Sequence, residues 1–382
     1  MRRLPAKSEF VNDKFRSEIA FGGEILLRRV KCFATQNVKY FIFDEMMWTG
    51  FARTHYNCRL QAPIPAARRI SPAKQISHGK AIVHRAKHDF TVGRSPTLSA
   101  ETQNREEQSM QFGMPTLLEN QTLEENVSLC RSLGLRFIEL NMNFPEYQVE
   151  HLERTEYLLR TAEQAGIYYT IHLDENLNIA DFNRLVTDAY LETVRRIIAV
   201  AKKLLPLRDR FGDEGQPMIL NMHMHHGIFI TLPDRKVQMF DRNFDVYMRS
   251  IADFRAKCED WIGDSDVVIA IENTDGFRRY EREAVKYLLE SPNFGLTWDI
   301  GHSKAVNETD MPFILEHRER LMHFHIHDGT YMPPRDHLAL GDGEIDLPAR
   351  LQLADSRNAR CVLETKTAAA LRKSVQWLHS SR

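Results

Sequence analysis

Two short stretches carry acid and imidazole side chains at spacings that suit chemistry. They are Asp299-Ile300-Gly301-His302 and His323-Phe324-His325-Ile326-His327-Asp328. The first follows the apolar run Phe294 to Trp298, and the second grows out of the run Leu321 to Ile326. Runs of this kind read as buried strands. Two successive buried strands that both end among carboxylates and imidazoles are hard to explain by packing alone. Carboxylate and imidazole together form the ligand set of zinc, manganese and related divalent ions.

The elements that would position these groups alternate from residue 110 onward. Strands are expected at Gln111 to Leu117, Phe137 to Leu140, Tyr168 to Leu173, Met218 to His223, Val267 to Glu272, Phe294 to Asp299, Leu321 to His327 and Arg360 to Glu364. Helical patterns separate most of them. Thr122-Leu-Glu-Glu125 reads as a capping box for a helix that stops at Gly134. Further helices are expected over Glu146 to Ala165, Phe182 to Leu205, Phe244 to Trp261, Glu281 to Leu289 and Ala368 to Leu378. Strand and helix in strict alternation imply a parallel sheet. Eight such units in a segment of this length imply an α/β fold closed into a (β/α)8 TIM barrel, whose usual size is about 250 residues. An open doubly wound sheet would want a Gly-rich loop after its first strand, and Met114 to Leu118 has none.

In such a barrel, chemistry gathers where the strands end. Those ends carry Glu139, His172, His223 with His225 and His226, Glu272, Asp299 with His302, His325 with His327 and Asp328, and Glu364. Any one of them reads as a hydrogen-bonded structural residue. Together they would repel one another and suffer desolvation unless a cation were shared. The pattern therefore predicts a bound divalent metal, with Mn, Mg, Co and Zn all compatible with the ligand types.

Charge divides the chain. Residues 1–110 hold 19 Lys/Arg against 10 Asp/Glu, and the remainder holds 32 against 42. Residues 1–109 are expected to form a basic, largely disordered extension, and 110–382 the barrel. Phe21 to Val30 and Val38 to Met47 could be short strands or a helix, and the stretch beyond Arg53 has linker composition. A natural start at Met110 or Met114 is an alternative. Five widely spaced cysteines, without a CxxC pair, point to a reducing compartment. No secretory signal or membrane-length apolar run is visible, so a cytoplasmic location is expected. Nothing in the sequence specifies an oligomeric state, and an oligomer is compatible with it.

The residues then resemble a known family. Ile171-His172-Leu173, Ile271-Glu272-Asn273-Thr274, Asp299-Ile300-Gly301-His302, His325-Ile326-His327-Asp328, His337-Leu338-Ala339-Leu340-Gly341-Asp342-Gly343-Glu344-Ile345-Asp346 and Leu363-Glu364-Thr365 look like the xylose isomerase-like TIM-barrel superfamily. It includes sugar and sugar-phosphate isomerases and epimerases, inosose dehydratases and abasic-site nucleases of the endonuclease IV class. The isomerase branch implies one divalent metal held by Glu272, Asp299, His325 and Glu364. The same two glutamates, Glu272 and Glu364, would be catalytic, removing and returning a proton beside a carbonyl while a metal stabilises the enediolate. His302 and His337 would contact a carbohydrate substrate, with His172 and His223 lining its pocket and Arg335 able to bind a hydroxyl, carbonyl or phosphate. Glu139 reads as either an outer partner of the metal site or a structural residue.

The nuclease branch resembles the chain at His172, Glu272, Asp299, His302, His325, His337 and Glu364, and at one of His223, His225 or His226. One of its three zinc ions needs an Asp two residues before His337, where this chain has Arg335, with Asp336 one place late. The acidic balance of residues 111–382 also speaks against a nucleic-acid partner. A barrel that binds metal without catalysis is a third reading, opposed by the presence of both Glu272 and Glu364. Trp298, Phe324, Tyr331, Phe144 and Tyr147 are candidates for stacking on sugar rings or, more simply, for packing. Thr231 to Asp241 could form a lid.

Overall fold

The computed structural model describes residues 110–213 and 215–381, together with four short strands nearer the N-terminus. Ala20–Phe21 pairs antiparallel with Glu24–Ile25, and Cys32–Thr35 pairs antiparallel with Val38–Phe41. The regions expected as strand or helix around Phe21 and Val38 are therefore strand where they are described. The expected linker beyond Arg53 lies outside the described residues.

Eight parallel strands close into a barrel. They are β1 (Phe112–Pro115), β2 (Phe137–Asn141), β3 (Tyr168–His172), β4 (Met218–His223), β5 (Val267–Glu272), β6 (Phe294–Asp299), β7 (Leu321–Ile326) and β8 (Arg360–Leu363). Closure comes from β8 pairing with β1, Cys361 opposite Phe112 and Val362 opposite Gly113. Strands buried on both faces need apolar side chains outward and something that fits the lumen inward. Outward residues such as Met114, Ile138, Leu220, Ile269, Trp298 and Phe324 join the helices in one core. Ile219, Val268 and Ala270, with Met322, form a separate small cluster.

The upper lumen is polar. Glu139, Thr170, Asn221, Glu272, Thr297, Asp299, His323 and His325 are all buried. An irregularity between β6 and β7 matters here. Leu296 lies opposite Leu321 but Thr297 lies opposite His323, so Met322 is skipped and Asp299 comes beside His325. A bulge of this kind re-aims the side chains that follow it.

The helices follow local chemistry. Thr122 caps Leu123–Ser132, its hydroxyl accepting from the Glu125 N–H at 3.2 Å, although Glu125 reaches back to the N–H of Gln121 rather than of Thr122. Gly166 ends Thr155–Ala165 at φ +70°, a conformation glycine adopts without steric cost. The single helix expected over Glu146 to Ala165 is broken into Pro145–Tyr147, Val149–Leu152 and Thr155–Ala165. The helix expected to stop before Pro206 continues from Arg184 to Phe211, because Leu207 and Arg208 are buried and Arg208 is bound to Asp266 and Gln216. Tertiary packing overrides the proline there. The sequence reading did not anticipate Ile300–Ala305, Met311–Glu316 or Leu347–Ser356, nor the hairpin Asp328–Thr330 with Arg335–Leu338. No described helix is long and apolar enough to cross a membrane. Cys130, Cys258 and Cys361 are buried free thiols.

Candidate metal centre

Strands β5 to β8 deliver four donors to one rim. Glu272 ends β5, Asp299 ends β6, His325 lies in β7 and Glu364 follows β8. One ligand atom from each lies within 4.8 Å of the others, and all four residues are buried.

The outer contacts of each donor are as informative as the cluster. His325 places Nε2 2.8 Å from Glu139 Oε1. Glu139 Oε2 in turn meets His323 Nε2 at 3.0 Å and the Thr170 hydroxyl at 2.9 Å. Burial opposes ionisation of Glu139, but the two imidazoles outweigh it and hold the carboxyl far below the usual range. The other nitrogen of His325, Nδ1, faces Glu364 Oε2 at 3.1 Å and Glu272 Oε1 at 3.3 Å, with Asp299 Oδ2 at 3.9 Å. Neither ring nitrogen of His325 and neither of those two glutamate oxygens has a hydrogen-bond partner, the 2.8 Å approach of Nε2 to Glu139 being an ion-pair contact. With its ring proton on the nitrogen that faces Glu139, the imidazole has a lone pair on its near nitrogen. That lone pair cannot be satisfied by carboxylate oxygens, so a proton or a metal ion must lie between them. His325 is accordingly held well above its ordinary value, the surrounding carboxylates overcoming burial, and Glu272 and Glu364 are held well below theirs, the neighbouring cations overcoming the same desolvation. The donor set fits a divalent cation in that place.

The remaining oxygens are tied to the protein. Glu272 Oε2 accepts from Asn221 Nδ2 and meets His223 Nε2 at 3.0 Å and His172 Nε2 at 3.5 Å. His172 Nδ1 lies 2.8 Å from the Leu173 carbonyl, which requires Nδ1 to be the protonated nitrogen. His172, His223 and Glu272 thus make a second donor triad that shares Glu272. Glu364 Oε1 accepts from Lys366 Nζ at 2.8 Å. Asp299 Oδ1 accepts from the His302 N–H at 2.6 Å, capping Ile300–Ala305, and Asp299 Oδ2 meets His327 Nε2 at 2.9 Å. His302 Nδ1 is 3.3 Å from Asp299 and 3.5 Å from Glu272, and these carboxylates override burial and raise it to about 10. His337 Nδ1 meets Asp336 Oδ1 at 2.9 Å, which holds the Asp336 carboxyl down at about 2.

A cavity of about 420 Å³ opens beside these groups. Its wall includes His172, His223, His302, His337, Glu364 and Lys366, and only Ala305 and Val306 in it are apolar. Arg335 does not belong to that wall. It is exposed at the edge of the hairpin, its backbone paired with Thr330, while its neighbours Asp336 and His337 line the cavity. His337 itself has φ +53°, a left-handed conformation uncommon outside glycine. The stacking candidates also stay out of the wall. Trp298 and Phe324 are fully buried against each other, Phe144 packs on Tyr147, and Tyr331 is exposed. The segment considered as a lid forms part of a hairpin, Phe229–Thr231 with Lys236–Gln238, and contributes no residue to the wall. His226 instead joins Asp275 at 2.7 Å and Glu281 at 2.6 Å.

Sequence reading did not assign Lys366 or Asp336. Lys366 had a signal: it lies two residues beyond Glu364, on the same face of an extended chain. Asp336 had only its place one residue after the nuclease ligand position, and its direction depends on the hairpin.

The profile of the xylose isomerase-like TIM-barrel family matches residues 127–381. No curated protein matches the chain. Among solved structures, a D-tagatose 3-epimerase-like protein is 19% identical with TM-score 0.54, covering 71% of this chain and 96% of its own. The 3-keto-D-glucoside 4-epimerase of E. coli is 16% identical with TM-score 0.55, covering 71% of this chain and 99% of its own. D-Psicose 3-epimerase of Clostridium cellulolyticum H10 is 12% identical with TM-score 0.51, covering 72% and 98%. At these identities the likeness is one of fold. With its profile match extending over the barrel from Val127 onward, the chain belongs to the xylose isomerase-like TIM-barrel family.

Proposed function

We propose that the chain is a divalent-metal-dependent sugar isomerase or epimerase that moves a proton at the carbon beside a carbonyl. One observation carries this reading. Two buried glutamates, Glu272 and Glu364, each turn an unpartnered carboxylate oxygen towards Nδ1 of His325, beside a polar cavity. The volume, about 420 Å³, falls within the usual span for small-molecule sites, about 300–1,000 Å³. Glu272, Asp299, His325 and Glu364 would hold the ion. When bound, it supplies positive charge next to the substrate oxygens that become negative as the C–H proton leaves.

The side chains do the rest. Glu272 has its second oxygen tied to Asn221, His223 and His172, whereas Glu364 has its second oxygen on Lys366. Two carboxylates in such different surroundings can divide the duties, one taking a proton and the other returning one. His302, His337, His172 and His223 offer ring nitrogens to substrate hydroxyls. Glu175, Asp275 and Asp336 also line the wall, so a neutral polyol suits it better than a sugar phosphate. Residues 110–382 form the catalytic unit on this reading, and residues 1–109 an extension. The fold shared with sugar epimerases agrees with it.

A second reading, metal-dependent phosphodiester cleavage at abasic sites, is favoured by the triad His172, His223 and Glu272, which offers a place for another ion beside the first. The excess of acidic over basic residues in 111–382 works against a DNA partner.

The test is a panel of ketoses incubated in deuterated water with Mn, Mg or Co, alongside an abasic-site duplex. Deuterium appearing in a sugar supports the isomerase reading. Strand nicking without sugar exchange would replace it with the nuclease.

A further inference from the structure

His302, His327 and His337 each bring one nitrogen within 4.8 Å of the others. Three free nitrogens would make a further cation site. Those of His327 are not free. The backbone N–H of His337 donates to His327 Nδ1 at 2.7 Å. An amide N–H can only donate, so Nδ1 must be the unprotonated nitrogen. The ring proton is then on Nε2, which points at Asp299 Oδ2 at 2.9 Å. With both nitrogens engaged, His327 has no lone pair left for a metal.

Three features hold the ring in that position. A Cβ on Gly301 would lie 2.0 Å from its Cε1 and Nδ1, so the backbone of the Asp-Ile-Gly-His turn presses directly on the imidazole. The ring stacks on His337 with centroids 4.3 Å apart and planes 8° from parallel. It is also fully buried. Asp299 is fixed at both ends as a result, Oδ1 by the His302 N–H and Oδ2 by His327.

We propose that His327 is the positioning residue for Asp299, donating from Nε2 to Oδ2 so that the carboxylate meets the ion in one orientation, and that Gly301 is glycine to admit its ring. The inference rests on the metal centre of the preceding section. His327 contributes to affinity without being a ligand, as groups behind metal ligands do.

The experiment measures metal affinity of the full chain by competition with a chelator, and ions per chain by elemental analysis. The proteins are the parent, His327→Leu and His327→Gln. Glutamine can reproduce both contacts, its oxygen accepting from His337 and its amide donating to Asp299; leucine can make neither. His327→Leu is expected to bind about 10–100-fold more weakly, with the same number of ions per chain, and His327→Gln to recover most of the loss. Unchanged affinity in His327→Leu overturns the proposal. So does the loss of one ion per chain, which would make His327 a ligand, and so does equal weakening in both variants. Nitrogen-15 NMR of the histidines in the parent keeps the test open should the variants not fold. A neutral ring protonated at Nε2 is expected for His327, and a metal-bound nitrogen would refute it. A parent that binds no ion removes the metal centre itself, an outcome distinct from a parent that binds tightly and a variant that does so equally.

Discussion

Glu139 and His325 meet through Oε1 and Nε2 at 2.8 Å, on the side of the imidazole away from the three carboxylates. The carboxylate favours the ring proton on Nε2, which leaves Nδ1 for the rim, and a buried carboxylate behind an imidazole makes it a stronger donor to any ion held there. Glu139→Gln keeps the shape and removes the charge. We expect metal affinity to fall about 10–100-fold while the ion count is preserved, measured by chelator competition.

On the proposed function, substitutions at the two rim glutamates should separate metal binding from proton transfer. Glu272→Gln and Glu364→Gln each retain an oxygen that can face the ion, but neither can accept a proton. Each variant is expected to lose sugar exchange in deuterated water by about 10²–10⁴-fold, the usual contribution of a positioned acid or base. A variant that binds metal and still exchanges at the parental rate would remove that glutamate from the chemistry.

Removing the metal should loosen the barrel. Four buried donors from β5 to β8 are brought together in the folded chain and dispersed in the unfolded one. Ligand at a hundred times its dissociation constant adds about 2.7 kcal/mol, or roughly 5–10 °C in Tm for a domain of this size. Thermal unfolding before and after chelation, with re-addition of Mn, Co or Zn, checks this.

The rim was readable because two regularities act together. Apolar runs mark the strands and parallel crossovers bring their ends to one side, so the acids and imidazoles of the strand ends could be listed from the sequence, while the choice of Glu272, Asp299, His325 and Glu364 among them came from the family resemblance. What escaped depends on contacts that have no period. That His337 and Asp336 line the cavity and Arg335 does not belongs to a hairpin with an irregular register and a left-handed residue, which sequence pattern does not reveal. Ile300–Ala305 and Met311–Glu316 have six residues each, too short for a 3.6-residue period to stand out. The helix that runs through Pro206 shows the reverse error, a strong local signal overruled by burial of the turn beyond it.

Away from the rim, His226 ties the end of β4 to the loop after β5, and this contact titrates in an accessible range. Its Nδ1 meets Glu281, which is fully buried, and its Nε2 meets Asp275 at 2.7 Å, with the Arg278 guanidinium 3.0 Å from the same nitrogen and bound to Asp275. Burial opposes the charge, but the two carboxylates outweigh it and raise the imidazole to about 9. An unfolded histidine releases its proton near pH 6.5. The contribution is therefore full below about pH 6.5 and disappears as the pH rises through about 9. The side chain retains 29% of its exposure, so solvent screening trims the effect to about 1–2 kcal/mol. Urea unfolding of the chelated protein at pH 6, 7.5 and 9.5 should show the parent losing its advantage over His226→Gln across that window. A constant difference between the two proteins would mean that His226 is neutral in the folded chain, Nδ1 donating to Glu281 and Nε2 accepting from Arg278.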